Sequence, residues 1–242
     1  MPIQFKQPLA LSSLSERAYE LLKQEIISGN LVPGEKLDIY ELAEKMRISR
    51  TPVKDAINRL AHQGLVTIRN RRATFVSTIE EERIRELFDI RLMMELWGAA
   101  RACRERESVG LERLDEILNE CEPLVSESAA FDYERFNEYD MEFHLYFIDA
   151  ARNAELRKLY QSLNVHIQAM RVYWRQARRP ALESHNEHIA IFKSLCQGDV
   201  EKVKGSLTTH IIRSRDDVMR VLGERRGQLA GVLSSGPPSR SR

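Results

Sequence analysis

The sequence predicts a mainly α fold in which an N-terminal winged helix-turn-helix precedes an all-α antiparallel bundle of about six helices. Three observations indicate this fold. Two short helical patterns meet at a sharp break early in the chain. Two short apolar runs with a basic tip between them follow at once, as in a hairpin. From residue 80 to residue 223 the apolar residues then recur at helical spacing between short polar breaks, which favours a bundle.

The predicted winged helix-turn-helix is centred on the stretch Leu42–Val76. Its second helix, Arg50–Gln63, has Pro52 in the first turn, where a missing N–H costs nothing, and Gly64 just past its end. The first residues of such a helix reach base edges in the major groove, while arginines on a wing meet phosphates or the minor groove. We therefore predict DNA contacts from the residues at these two places: Arg50, Thr51, Pro52, Lys54, Arg69, Asn70, Arg71 and Arg72.

The same stretch contains a pattern that is typical of one family of regulators. The residues that carry it are Ile48–Ile57, Leu60, Gly64–Val66 and Phe75–Val76. On these residues, the first third of the chain resembles the GntR family of bacterial transcription regulators, and the resemblance implies binding to double-stranded operator DNA. Two positions depart from the family pattern. Lys54 stands where arginine is more common, which affects base recognition, and Ala73 stands where a wing glycine is usual.

The charge distribution separates the two ends of the chain. The 242 residues have a formal net charge of +1, but residues 1–77 contain 12 Lys and Arg against 8 Asp and Glu, a net of +4 that leaves −3 for the rest. The three cysteines, Cys103, Cys121 and Cys196, form no CxxC motif and are expected to be reduced thiols. No long apolar run or signal-peptide pattern occurs, so we expect a cytoplasmic protein without a membrane partner.

The chain is predicted to comprise three segments. Residues 1–77 form the DNA-binding domain, residues 78–223 an all-helical domain, and residues 224–242 a disordered tail whose end is rich in Ser, Gly, Pro and Arg. A helix over 12–28 and a short helix capped by Asp38 precede the recognition helix. Asn153 and Asp199 are expected to cap two later helices. The six helices predicted for the second domain span 80–106, 109–126, 131–151, 154–178, 181–197 and 199–223.

Four side chains of the second domain are expected to meet at one point. Asp140 and His144 are four residues apart, which places a carboxylate and an imidazole on one helical face. His188 and His210 lie on two further predicted helices, and the apolar residues after each indicate an inward direction. Three imidazoles and a carboxylate in a bundle would make a nitrogen-rich divalent metal site. Spacing alone leaves an alternative open, because a histidine on an apolar face is more often a hydrogen-bonded core residue.

The second domain also resembles a known family. The matching residues are Arg91, Met94, Glu95, Asp140, Phe143, His144, Asn153, Glu187, His188, Gly198, Asp199 and His210. They resemble the FCD effector-binding domain that follows the winged helix in the FadR subfamily, and the six helices are similar to its VanR-type branch. The resemblance implies a divalent metal, commonly zinc or nickel, at the four positions named above, with room for water or an effector carboxylate.

Further polar residues are candidates for binding an anionic effector. Arg91 can meet an anion through its planar guanidinium, or it can pair with Glu95 four residues on, and the spacing does not choose between these roles. His185 lies one turn before His188 and could line a pocket, although helix capping or solvent exposure is the alternative. The predicted effector-binding residues are Arg91, Glu95, His166, Arg171 and His185.

The combined prediction is a ligand-responsive, metal-containing transcription regulator of the FadR subfamily. It is expected to bind a short inverted repeat as a homodimer, because two-fold protein symmetry matches two half-sites. A small anionic metabolite in the bundle would change operator affinity, with relief of repression as the default. The alternative is a metal-dependent hydrolytic enzyme with an accessory DNA-binding domain. No general base or nucleophile motif supports catalysis, so we predict a regulator that is not an enzyme.

Overall fold

The computed structural model describes residues 11–69, 73–78, 80–106, 110–126, 131–171 and 178–234, with side chains described within 14–167 and 179–224. Contacts between residues divide the chain into two compact units. The first comprises the N-terminal residues to Glu80 together with a short stretch near the end of one later helix, and the second comprises the other residues from Glu81. Within the described ranges, no helix is both long enough and apolar enough to cross a membrane.

The first unit has the order of elements that the sequence predicts for a winged helix-turn-helix, with one addition. Its elements are α1 (Leu11–Ile27), β1 (Lys36–Leu37), α2 (Ile39–Met46), α3 (Arg50–His62), β2 (Val66–Arg69) and β3 (Ala73–Val76). The sheet is antiparallel in the order β1–β3–β2, and Val66 lies opposite Val76. Strand β1 was not predicted, because a strand of two residues contains too little alternation to be recognised.

Local chemistry sets the ends of the two helices in the helix-turn-helix. The carboxylate of Asp38 caps α2 by accepting from the backbone N–H of Tyr40 at 2.8 Å. Arg47 follows the last residue of α2 and caps the helix with a φ of 54°, in the left-handed region. Gly64 follows α3 with a φ of 75°, which other residues rarely adopt. The buried face of α3 packs against α1 around Leu60, so its opposite face is left to solvent.

The described part of the second unit contains six helices. They are α4 (Glu81–Arg104), α5 (Leu111–Val125), α6 (Tyr133–Ala150), α7 (Ala154–Arg171), α8 (Arg178–Gln197) and α9 (Val200–Ser234). Helix α4 packs against α6 and α9, and α8 packs against α5 and α9. Asn153 accepts from the N–H groups of Glu155 and Leu156, and Asp199 accepts from that of Lys202, so both predicted caps are confirmed.

A glycine permits the close approach of α4 and α6. A Cβ atom built on Gly98 would lie 1.9 Å from the backbone oxygen of Phe147, a separation that no side chain can tolerate. The two backbones therefore approach more closely at this point than any other residue would allow. The close approach helps to position Asp140 and His144, because α6 supplies these two of the four residues at which the sequence predicts a metal site.

Two helix ends differ from those that the sequence predicts. The described part of α8 begins at Arg178 and includes Pro180, which the sequence predicts to precede the helix. Helix α9 continues through Gly223 as far as Ser234, although the sequence predicted its end at that glycine and a disordered tail beyond. A single glycine weakens a helix without necessarily ending it. The remainder of the predicted tail, residues 235–242, lies outside the described residues.

Candidate metal centre and nucleic-acid interface

Three helices of the second unit bring four buried side chains to one point. Helix α6 supplies Asp140 and His144 from one face, α8 supplies His188, and α9 supplies His210. The exposed fraction of each residue is 3% or less. One nitrogen or oxygen from each side chain lies within 4.8 Å of those of the other three. The structure therefore brings together all four residues that the sequence indicated as metal ligands.

The distances within this cluster fit a single metal ion. The Nε2 atoms of His144 and His210 are 3.1 Å apart, and those of His188 and His210 are 3.3 Å apart. Two nitrogens that each bind one ion at about 2.0–2.1 Å lie roughly 3.0–3.4 Å from each other. Oδ1 of Asp140 is 3.9 Å and 3.8 Å from the Nε2 atoms of His144 and His188. The donor set of three imidazoles and one carboxylate suits zinc, nickel and similar divalent ions.

The interior of the bundle keeps these imidazoles neutral. Burial lowers the pKa of His210 to about 4, despite its hydrogen bond to Glu187. Burial, together with the neighbouring imidazoles of His210 and His144, holds the pKa of His188 well below its ordinary value. Burial and the charge of Arg91 also lower the pKa of His144. A neutral imidazole has a free lone pair, which is the form that binds a metal ion.

A buried ion pair adjoins the His144 side of the cluster. Nε of Arg91 donates to Oε1 of Glu95 at 2.6 Å, and the hydroxyl of Tyr160 donates to the same oxygen at 2.7 Å. Oε2 of Glu95 lies 2.7 Å from Nδ1 of His144. Burial alone would raise the pKa of Glu95, but the charge of Arg91 and the hydrogen bonds from His144 and Arg91 outweigh it and lower this pKa to about 2. Sequence reasoning missed Tyr160, because nothing in its spacing connects it with the other residues.

A second carboxylate adjoins the His210 side. Oε2 of Glu187 lies 2.7 Å from Nδ1 of His210, and Nε of Arg213 donates to Oε1 of Glu187 at 2.6 Å. Arg213 also donates to Ser184 at 2.8 Å and to Asp217 at 2.7 Å. Burial would raise the pKa of Glu187, but its bonds to His210 and Arg213 lower it to about 2. Glu187 was part of the family pattern, whereas Arg213, four residues before Asp217, was not singled out.

Three of the five predicted effector-binding residues are buried in the second unit. Arg91 and Glu95 lie beside the cluster, and His185 is buried with an exposed fraction of 2%. Neither ring nitrogen of His185 has a hydrogen-bond partner among the described residues. His166 is half-buried on α7, in the stretch that groups with the first unit, and the side chain of Arg171 lies outside the described residues.

The predicted DNA-binding residues of α3 divide by exposure. Arg50, Thr51 and Lys54 are exposed in its first two turns, and the guanidinium of Arg50 lies 4.8 Å from the centre of the Tyr40 ring. Pro52 is buried, so it contributes to the start of the helix and not to a contact surface.

The wing is described only in part. Arg69 is exposed at the end of β2, with its guanidinium 5.1 Å from the centre of the Phe75 ring. The predicted wing residues Asn70, Arg71 and Arg72 lie outside the described residues.

Comparison with known proteins identifies both parts of the chain. Residues 14–76 match the model of the bacterial regulatory proteins of the gntR family, and residues 86–213 match that of the FCD domain. The chain belongs to the GntR family of transcription regulators. It carries the FCD domain that the sequence indicated, and it is a DNA-binding regulator with an effector-binding domain, not an enzyme. The predicted fold class is confirmed.

The matches to curated relatives span about four fifths of this GntR regulator. The Nta operon transcriptional regulator of Aminobacter aminovorans is 26% identical over 196 residues, which cover 81% of this chain and 90% of the relative. The HTH-type transcriptional regulator LutR of Bacillus subtilis is 25% identical over 212 residues, which cover 79% and 94%. These relatives are regulators and give no support to the hydrolytic alternative.

Solved structures have the same fold. A GntR transcriptional regulator from Rhodococcus sp. RHA1 superposes with a TM-score of 0.72 at 22% identity, covering 86% of this chain and 98% of that one. Escherichia coli McbR/YncC superposes with a TM-score of 0.71 at 22% identity, covering 86% and 97%. At this identity the likeness concerns the fold alone.

Proposed function

We propose that this GntR regulator is a metal-containing repressor that releases its operator when a small carboxylate-type effector binds in the FCD domain. The observation that carries the proposal is the buried cluster of Asp140, His144, His188 and His210. Four polar side chains in an apolar bundle carry a heavy desolvation cost, which a shared cation offsets. As a DNA-binding protein of a bacterial family, it is assigned to the cytoplasm.

The four side chains would hold zinc or nickel. Neutral imidazoles suit both ions, and one carboxylate offsets part of the charge. A bound ion with four protein ligands would offer an open position to an effector carboxylate as a Lewis acid. The protein's own contribution is to hold the four donor atoms at fixed separations in a dry interior, since every one of the four residues is at least 97% buried.

Arg91 and His185 would provide further contacts to the effector. Arg91 is buried beside the cluster, and its only hydrogen bond to a described carboxylate uses Nε, so the two terminal nitrogens can face an anion. His185 is buried without a partner for either ring nitrogen among the described residues. An unsatisfied buried polar group costs about 1–3 kcal/mol, which a bonded ligand would offset. Glu95, His166 and Arg171 complete the proposed effector set on sequence grounds.

The operator would be a short inverted repeat of double-stranded DNA. Arg50, Thr51 and Lys54 lie exposed at the start of α3, where such a helix meets base edges. Arg69 and the three wing residues after it would contact phosphates or the minor groove. Two copies of the head on one duplex match the two halves of an inverted repeat.

Helix α4 offers the surface on which two copies would pair. Ile90, Met93 and Trp97 lie at helical spacing on its exposed side, with exposed fractions of 37%, 65% and 68%. Two of these three side chains are about two-thirds exposed, and adjoining exposed apolar side chains can mark a protein–protein interface. Exposed Glu82 precedes the stripe and exposed Arg104 follows it, so antiparallel pairing with a second copy places acid opposite base. The basic DNA-binding segments repel each other, which also favours pairing through the second unit.

Metal analysis of untagged protein purified without chelator tests the proposal. We expect about one divalent ion per chain, and we expect added zinc to raise the melting temperature of chelator-treated protein. The double variant His144→Ala with His188→Ala should lose both properties while retaining affinity for DNA selected from a random library. Metal-free protein whose melting temperature does not respond to zinc or nickel would refute the metal centre. Operator affinity that is unchanged by every carboxylate in a metabolite panel would refute the effector role.

A further inference from the structure

Each of two ligand histidines has its second ring nitrogen against a carboxylate. Nδ1 of His144 lies 2.7 Å from Oε2 of Glu95, and Nδ1 of His210 lies 2.7 Å from Oε2 of Glu187. The two carboxylates come from different helices, α4 and α8. The other oxygen of each carboxylate accepts from the Nε of an arginine at 2.6 Å. Two His–Glu–Arg arrangements therefore flank the cluster on opposite sides of its shortest contact.

We propose that Glu95 and Glu187 are positioning residues for the metal: they hold the imidazole protons of His144 and His210 on Nδ1 and so turn the Nε2 lone pairs toward one another. The inference rests on the proposed metal centre. A carboxylate paired with arginine can only accept a hydrogen bond, so the imidazole nitrogen that faces it must be the donor. A neutral imidazole has one N–H, and the other nitrogen is then an acceptor.

The short contact between the two rings follows from this arrangement. Their Nε2 atoms are 3.1 Å apart, and with both protons on Nδ1 neither can donate to the other. Two lone pairs at this distance repel each other, whereas a cation between them bonds to both. The carboxylates thus prepare the cluster for a metal ion and discourage the alternative in which the two imidazoles hydrogen-bond directly.

The two positioning residues differ in their surroundings. Glu95 is fully buried and also accepts from Tyr160, so removing its charge would leave buried Arg91 without its anionic partner. The side chain of Glu187 is 25% exposed, and its partner Arg213 retains a bond to Asp217 in its absence. Glu187 is therefore the position at which the carboxylate can be changed with the smaller effect on folding.

Glu187→Gln is the decisive variant, with Asp217→Asn as its matched control. Both remove a negative charge that contacts Arg213, but only Glu187 contacts an imidazole. We expect Glu187→Gln to weaken zinc binding about 10- to 100-fold in competition with a chromophoric chelator. Asp217→Asn should change it less than about 3-fold, and Glu187→Asp should recover part of the loss by restoring the charge.

The tautomer of His210 provides a readout that a merely structural role would not move. In metal-free wild-type protein with ¹⁵N-labelled histidine, NMR should detect the proton of His210 on Nδ1. In Glu187→Gln the side-chain amide can donate as well as accept, so a mixture of tautomers is expected. If wild-type protein binds neither zinc nor nickel, the proposed metal centre fails. If wild-type protein binds zinc but Glu187→Gln binds it as tightly as Asp217→Asn, or the wild-type proton lies on Nε2, the positioning role fails.

Discussion

The Nε2 atoms of His144 and His210 lie 3.1 Å apart, although 66 positions of sequence separate the two residues. Their proximity depends on three helices, since α6 and α9 both pack against α4. The close approach of α4 to α6 depends in turn on Gly98. The geometry of the proposed metal centre is thus tied to the packing of the bundle.

Acid should destabilise the metal-free protein. At pH 7 both the folded and the unfolded protein have a neutral His210. As the pH falls below the ordinary value of 6.5, the unfolded chain binds a proton that the folded protein does not accept until about pH 4. The free energy of unfolding should therefore fall by about 3 kcal/mol across this window, and His188 and His144 add to the same trend.

Urea unfolding in the presence of chelator at pH 7.0, 5.5 and 4.5 measures this effect at values spanning roughly that window. The variant His210→Leu serves as the control, because it removes one of the groups that titrate differently in the two states. Its stability should depend less on pH than that of the wild type. Equal free energies of unfolding at the three pH values would show that the imidazoles titrate in the folded protein as they do in the unfolded chain, and would contradict the prediction.

The local elements were predictable because their signals lie within a few residues. Pro52 and Gly64 mark the ends of one helix, and Asp38, Asn153 and Asp199 cap others through contacts within one turn. The four residues of the candidate metal centre could also be predicted, starting from the helical face that Asp140 and His144 share. Strand β1 could not be predicted, because its two residues form a strand only through their pairing with β3.

The surroundings of the cluster depend on tertiary packing and could not be predicted from spacing. Tyr160 contacts Glu95 across 65 positions, and Arg213 contacts Glu187 across 26. The sequence left open whether Arg91 pairs with Glu95 or meets an effector. The structure places the pair in the interior, where Arg91 donates to Glu95 through Nε. Because this bond does not use the two terminal nitrogens of the guanidinium, pairing with Glu95 and contact with an effector are compatible.

Substitutions in the head should separate base recognition from backbone contact. Arg50→Ala should weaken operator binding by about 1–3 kcal/mol and relax sequence preference, because Arg50 lies at the start of the recognition helix. Arg69→Ala should weaken binding to all duplexes alike and reduce the salt dependence by about one counterion. Fluorescence anisotropy at several salt concentrations measures both effects. Exposed Arg220 on α9 is the control, and two head variants that behave like Arg220→Ala would contradict the assigned interface.

Gly98→Ala should damage the bundle, whereas Gly205→Ala should not. The added Cβ at Gly98 would meet the backbone of Phe147, so α4 and α6 must separate, at a cost of about 1–3 kcal/mol or more. A Cβ at Gly205 in α9 has no neighbour within 4 Å, and alanine there should stabilise the helix by about 0.5–1 kcal/mol. Thermal unfolding compares the two, and zinc affinity should fall only in Gly98→Ala. Similar melting temperatures for both variants would be inconsistent with the close helix approach.

Substitution of Trp97 should disrupt the proposed dimer. In a two-fold interface each change occurs twice, so Trp97→Glu would place two carboxylates within one apolar contact. Leu159→Glu is the matched control, because Leu159 on α7 is 60% exposed and Trp97 is 68% exposed. Sedimentation velocity at micromolar concentration should detect monomers for Trp97→Glu and dimers for Leu159→Glu and the wild type. Operator affinity should fall when the dimer is lost, since a single head contacts only one half-site. If Trp97→Glu remains dimeric, the α4 stripe is not the interface, and a monomeric wild type would exclude the dimer itself.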